Sequence, residues 1–435
     1  MRYRMTNRIA CALALAGLAL VGTHSAYATG FSIYEAASRA TALGGAFTAN
    51  ADDGSAVFYN AAGLSFIEGQ TAELNIIFIK PDFKFSGQLN KTDPLQTGEG
   101  DPQTFLVPGA YYTHNGGGKF AFGIGVYAPF GLGVKWKDPE TWVGRRINYD
   151  VTIETVYVTP AVSFKASESL ALAIGLDIAH QNLNLNKFTP EPDFGTNAID
   201  TEIDGSSNIN VTPSLGLMFR PDEKISFGIM YHFKKTMVFD DADATLKNVQ
   251  SPSEIWAGNL INGLGGSEQK LSSELNLPYI LSFGLGYQFS ESFRAEVDYV
   301  RFGWSTFDQL VLDFDNDNLD QAIDFNYENS WQVRIGAEFD LNEKFTFMGG
   351  FVRDKTPQPL AAVSPLLPDS DRNDYSFGVA YHAATYDITL SYMYVDGEER
   401  TNIENGEPVR NDTDYPFGTY AANANLFGVG FSYHF

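Results

Sequence analysis

Along most of this chain apolar and polar positions alternate with a period of two. In the C-terminal run Phe427, Val429, Phe431, Tyr433 and Phe435 alternate with Gly428, Gly430, Ser432 and His434. Successive side chains of a strand point to opposite faces, so one face here is aromatic and apolar and the other is small or polar. The same dyad runs through 279–288, 331–339 and 375–382. About fourteen such segments follow residue 70, and their connections alternate in length. Short ones at 115–119, 165–169, 220–224, 290–292 and 342–344 are interleaved with long ones such as 189–208, 241–270 and 397–423. A soluble sandwich also alternates, but segments of ten to sixteen residues exceed the five or six usual in globular strands. Aromatic residues also gather at the ends of the apolar faces, as interface girdles do. The pattern predicts an all-β fold, a transmembrane antiparallel β-barrel of about 14 strands, with short turns at one rim and long loops at the other.

The residues before the first strand behave differently. Residues 29–69 do not alternate, yet they carry Phe31, Ile33, Tyr34, Phe47, Phe58 and Leu64. So many apolar side chains argue against a disordered tail and predict a hatch, or plug, folded inside the lumen. Ahead of it, Arg2, Arg4 and Arg8 precede an apolar run over 9–22 and then Ala26-Tyr27-Ala28. A basic head, a short apolar core and a small-x-small site describe a signal peptide over residues 1–28. The apolar run is shorter than the roughly 20 residues a spanning helix needs. The expected organisation is therefore 1–28 signal peptide, 29–69 hatch and 70–435 barrel.

Composition narrows the function. The single cysteine, Cys11, lies in the leader, which excludes disulfides, thiolate metal sites and cysteine nucleophiles from the mature chain. A net charge of −24 without any basic stripe argues against nucleic acid as a partner. Neither HExxH nor GxSxG occurs, so no enzyme and no cofactor is expected. In 311–324 the residues Asp313, Asp315, Asp317 and Asp324 have EF-hand spacing. Asn318 stands where the turn glycine belongs and Asp324 where a bidentate glutamate belongs, so a solvated acidic loop is favoured over calcium.

One strand speaks about cargo. Leu170, Leu172, Leu176 and Ile178 share the lipid face, opposite Ala171, Ala173 and Asp177. Continued alternation puts Leu183, Leu185 and Lys187 on the lumen side, while Asn182, Asn184 and Asn186 face out. An apolar lumen ending in a lysine suits an apolar tail with an anionic head better than it suits a water-filled porin. A bulge near His180 would swap the faces. Arg334 is also lumen-facing by alternation. In the loop 241–270, Ser251 and Pro252 start a predicted helix that places Trp256 and Leu260 on one apolar face. That face either packs on neighbouring loops or captures ligand at the surface.

At TGFSIYEAASRATALGGAFTANADDGSAVFYNAAGLS (29–65) the chain resembles the FadL-type family of outer-membrane long-chain fatty acid transporters, which includes monoaromatic-hydrocarbon uptake members. Segments 275–310 and 331–383 resemble it as well. Asn60-Ala61-Ala62 stands where the family usually has Asn-Pro-Ala, so Ala61 departs from the pattern. The resemblance implies a fourteen-stranded barrel in a Gram-negative outer membrane, with Phe58, Asn60 and Ala62 in the hatch. It implies passive uptake of a hydrophobic small molecule or fatty acid, with lipid and lipopolysaccharide around the barrel. Phe435 matches the signal read by the barrel assembly machinery. Lys187 falls where the family places a basic carboxylate-binding residue; a second basic position aligns near Glu328, leaving Arg334 as its substitute. Long-chain fatty acids are the favoured cargo. Uncharged or monoaromatic hydrocarbons, and a general aqueous porin, are the alternatives.

Overall fold

The computed structural model describes residues 30–191, 197–249, 254–410, 412 and 414–435. The expected signal peptide and the Ser251-Pro252 helix start lie outside the described residues. Fourteen staves close one antiparallel barrel. The first five are β1 (Gly69–Gln88), β2 (Phe105–Asn115), β3 (Phe120–Tyr127, then Gly131–Lys135), β4 (Asp150–Lys165) and β5 (Leu170–Pro190). Four broken staves follow: β6 (Asn197–Ser206, Asn210–Phe219), β7 (Ile225–His232, Lys235–Asn248), β8 (Glu268–Leu277, Ile280–Ser290) and β9 (Phe293–Phe302, Gln309–Phe314). The last are β10 (Ser330–Asn342), β11 (Phe345–Asp354), β12 (Arg372–His382), β13 (Tyr386–Gly397) and β14 (Phe417–His434). β14 pairs with β1 from Thr71↔His434 to Gln88↔Phe417, so no backbone edge is left unpaired at the seam.

The burial pattern is that of a protein whose outer solvent is lipid. Leu172, Ile174 and Leu176 are exposed while Ala171, Ala173 and Asp177 are buried. Phe427, Val429 and Phe431 likewise face outward from β14. Among the described residues no helix is long and apolar enough to cross a membrane; the staves do the crossing. The short turns define the periplasmic rim, where β1 begins and β14 ends, and the long connections define the extracellular one.

Residues 30–66 lie inside this cylinder and are almost wholly buried. Helix α1 (Ser38–Ala42) packs against β11, β12, β13 and β14. Helix α2 (Ala56–Tyr59) and the 3-10 turn Ala61–Phe66 pack against the opposite arc, β2 to β6. Small lumen-facing residues make this approach possible. A Cβ on Gly228 would sit 2.0 Å from the Thr48 carbonyl oxygen. Gly45, at φ +72°, lies where a Cβ would come within 1.8 Å of the Arg334 guanidinium. The small face of the alternation is thus shaped to receive a second layer.

This layer covers an interruption of the wall at β3. β3 breaks over 128–130, and the upper part of β2 (105–109) pairs with β1 alone. Residues 31–33 take the missing place: Ile33 N–H donates to the Pro129 carbonyl and Gly131 N–H to the Phe31 carbonyl, both at 2.8 Å.

The acidic run 311–324 does not form a ligand loop. It folds as a hairpin in which Gln309 pairs with Asp324, so Asp324 is carried to the far end from Asp315 and Asp317. Among the described residues no group of three acidic, histidine or cysteine side chains is placed to hold a metal.

Candidate functional site: an apolar cavity in the upper lumen

Alternation in β5 runs without a bulge past His180: Ala179 is buried, His180 exposed, Gln181 buried. Leu183 and Leu185 therefore face inward and line a cavity with Ile153 of β4, Ile203 of β6, Leu312 of β9 and Phe307. Phe31 of the inner segment projects into the same place, leaving a cavity of only about 40 Å³. Its ring lies 4.7 Å from that of Trp304, 5.4 Å from Phe307 and 6.2 Å from Phe130. Such a space is far smaller than a drug-sized ligand pocket, so occupancy requires side chains of its lining to move.

Lys187 stands two residues beyond Leu185, where the alternation of burial gives out, partly exposed and outside the cavity lining. Its ammonium donates to Gln321 Oε1 at 2.6 Å, two residues before the cavity-lining Ile323. Arg334 is elsewhere. It is 1% exposed, donates to the Gly44 carbonyl at 3.0 Å, and lies 3.8 Å over the Tyr34 ring. The structure does not bring it to the leucines; it clasps the inner segment. Glu328 is exposed. Trp256 and Leu260 sit on helix α3 (Glu254–Gly263), partly covered, against a small cluster of Ala198, Ile199, Leu246, Ala257 and Ile261.

The three hatch residues are all wall contacts. The Asn60 amide donates to the Thr48 and Leu217 carbonyls at 2.8 and 3.0 Å and accepts the Ala62 N–H. It therefore caps the 3-10 turn and ties it to β6 at once. The Ala62 carbonyl accepts the Ser163 hydroxyl at 3.1 Å. The Phe58 ring meets Tyr34 and Tyr127, and its carbonyl faces His232 Nε2 at 3.0 Å.

Sequence reasoning missed the base of the inner segment. Arg39 reaches Asp52 at 2.8 Å and Glu338 at 2.9 Å, while Arg294 of β9 reaches Asp52 at 2.7 Å and also holds Glu338. Burial alone would raise the Asp52 carboxyl, but Arg294 and Arg39 overcome it and hold it well below the usual carboxylate range. Asp298 accepts the N–H groups of Phe47 and Thr48, both at 3.0 Å. The available signal was Glu296 and Asp298, two acids on the lumen face of one stave at the level of the membrane. Each needed a partner from inside.

The family model described as outer membrane protein transport protein (OMPP1/FadL/TodX) matches residues 19–435. The chain is 22% identical over 463 residues to the long-chain fatty acid transport protein of Escherichia coli strain K12, covering 98% of each. It is 22% identical over 470 residues to outer membrane protein P1 of Haemophilus influenzae, covering 97% of this chain and 98% of that one. The structure of a Pseudomonas aeruginosa FadL homologue aligns with a TM-score of 0.79 at 21% identity, over 93% of this chain and 100% of the other. The P. putida toluene transporter TodX aligns at 0.68 and 17% identity, over 92% and 98%. At those identities the structural likeness speaks for the fold, and the match along the whole barrel speaks for descent: this chain belongs to the OMPP1/FadL/TodX family of outer-membrane transport proteins.

Proposed function

We propose that the protein passes hydrophobic molecules passively across the outer membrane, with long-chain fatty acids favoured over toluene-like cargo. The observation that carries this is the wholly apolar cavity of the upper lumen, stoppered by Phe31, with Lys187 beyond its lining. An open aqueous porin has no use for a stopper of rings. Residues 29–69 act as the hatch of the 70–435 barrel. Trp256 and Leu260 offer apolar surface at the extracellular loops where dilute ligand first binds. From the cavity, the base of the hatch blocks the axial route with ion pairs, whereas the break in β3 is bridged by residues 31–33 through two backbone hydrogen bonds. Displacing Phe31 would loosen that cover, which favours a lateral exit into the membrane. Phe435 serves the assembly machinery, and lipopolysaccharide surrounds the upper staves.

Binding of labelled dodecanoate and toluene to the purified mature protein tests this reading. Saturable binding of either, lost in Leu183→Asp with Leu185→Asp, supports it. Large open-channel conductance without saturable binding would favour a general porin.

A further inference from the structure

Phe130, at the break in β3, is surrounded by polar groups that have no partner among the described residues. Ser32 pairs with Phe130 across the bridge that seals the break, and its hydroxyl is 3% exposed and unbonded. The Tyr157 ring of β4 lies 6.3 Å from Phe130; its hydroxyl is buried and unbonded. The Trp304 ring lies 6.1 Å from Phe130, fully buried, with Nε1 unbonded. Buried polar atoms in native proteins nearly always have partners, and leaving one unmade is costly. The three lie around a single ring, and although the Lys235 ammonium sits 4.7 Å over the Tyr157 ring it bonds to none of them, so they call for a common explanation.

The shared chemistry narrows it. An indole N–H can only donate, and both hydroxyls can donate. The species that completes them is an acceptor oxygen. Phe31 connects the group to the cavity, since its ring touches both Trp304 and Phe130 and also lines the cavity. Any ligand that displaces Phe31 arrives at these donors.

We propose that Ser32 Oγ, the Tyr157 hydroxyl and Trp304 Nε1 form an acceptor-binding subsite beneath the cavity, which takes the carbonyl or carboxyl oxygen of an amphiphilic ligand when Phe31 and Phe130 give way. The proposal rests on the transport reading and sharpens its cargo: a chain bearing an oxygen is preferred to a bare hydrocarbon, by a device separate from the charge of Lys187.

Two uncharged probes isolate it, 2-dodecanone and dodecane, measured by equilibrium dialysis against the purified mature protein. The wild type should prefer the ketone. Tyr157→Phe and Trp304→Phe should each weaken ketone binding about 3- to 10-fold, the worth of a neutral hydrogen bond. Dodecane binding should change less than about twofold. Because each substitution removes an unpaired group, the ligand-free melting temperature should hold or rise for Tyr157→Phe. Should Trp304→Phe fail to fold, Tyr157→Phe and Ser32→Ala carry the test. A fall in stability with the ketone preference intact would show that these groups hold an internal water, and would overturn the subsite. Equal losses for both probes would reduce the three groups to packing and overturn it as well. If the wild type binds neither probe, the transport reading fails and the subsite with it.

Discussion

The two ends of the lumen hold the same inner segment by opposite means. At the periplasmic end the grip is charge: Arg39 and Asp52 from within meet Arg294 and Glu338 from the wall. At the extracellular end the grip is rings, with Phe31 set among Phe130, Trp304 and Phe307. Breaking a buried ion pair from one side strands an uncompensated charge, which costs about 3–5 kcal/mol. An aromatic contact is non-directional, and an apolar ligand can replace it with little net loss. On the proposed reading the inner segment is therefore fixed at its base and exchangeable at its tip, and cargo would move the tip while the base stays seated.

The largest expected effect abolishes the comparison altogether. Deleting residues 30–68 should leave a folded barrel, because the β1–β14 seam closes without them, but one that conducts ions in planar bilayers. Unchanged conductance would show that the segment plugs nothing. A narrower cut separates the two ends. Arg294→Met leaves Arg39 as the single cation between Asp52 and Glu338 and should weaken seating by up to about 3 kcal/mol, read as flickering channel openings. Phe31→Ala should cost about 3–5 kcal/mol of stability by opening a cavity, yet stay electrically silent. Added dodecanoate should restore more of the melting temperature in that variant than in the wild type. If Phe31→Ala leaks like Arg294→Met, tip and base are not distinct.

How much of this could be read beforehand follows from what alternation encodes. Period two specifies the face of a side chain, and it did so correctly through His180 to Leu183 and Leu185. It does not specify which inner residue a lumen position meets. Arg334 faces inward as expected and donates to Gln332 of its own stave, but it also donates to the carbonyl of Gly44, far away in sequence, and that contact could not be read from β10. The Arg39–Asp52–Arg294–Glu338 network has the same character, with partners drawn from four separate stretches. In the acidic run 311–324 spacing along the chain is equally uninformative about which carboxylates meet, because strand pairing of Gln309 with Asp324 sets their distances. The break in β3 left only Pro129 as a trace, and a proline near a strand end is an ordinary sight.

A smaller effect concerns the polar tie at the tip. Asp369, in the loop after β11, accepts the Gly30 N–H at 3.2 Å, and burial pushes its carboxyl up to about 6. A raised folded-state value means that the folded protein holds this proton more tightly than the unfolded chain. The cost of ionising it is absent below the unfolded value near 4 and fully present above about 6. The tip should therefore loosen between pH 5 and pH 7.5, by on the order of 1 kcal/mol. Hydrogen exchange of the 31–34 amides, corrected for intrinsic rates, should show the drop in the wild type and a flat response in Asp369→Asn. A drop of equal size in both would place the titrating group elsewhere.

The smallest expected effect decides what the tip reads. Lys187 already donates to the Gln321 amide, so an arriving carboxylate gains only the difference between a charge-assisted bond and a neutral one. The residue keeps partial exposure, and solvent screening reduces that difference further. About 1 kcal/mol remains, or roughly fivefold in affinity. Lys187→Met, which keeps the apolar stem, should weaken dodecanoate binding by about that factor and leave toluene within about twofold. Loss for both ligands would mean that the lysine shapes the rim without sensing charge. No loss for either would mean that Gln321 holds the ammonium permanently and the cavity selects by its apolar walls alone. Loss for the carboxylate alone would mark the charged rim as the second reader of an amphiphilic acid, above a cavity that grips its tail.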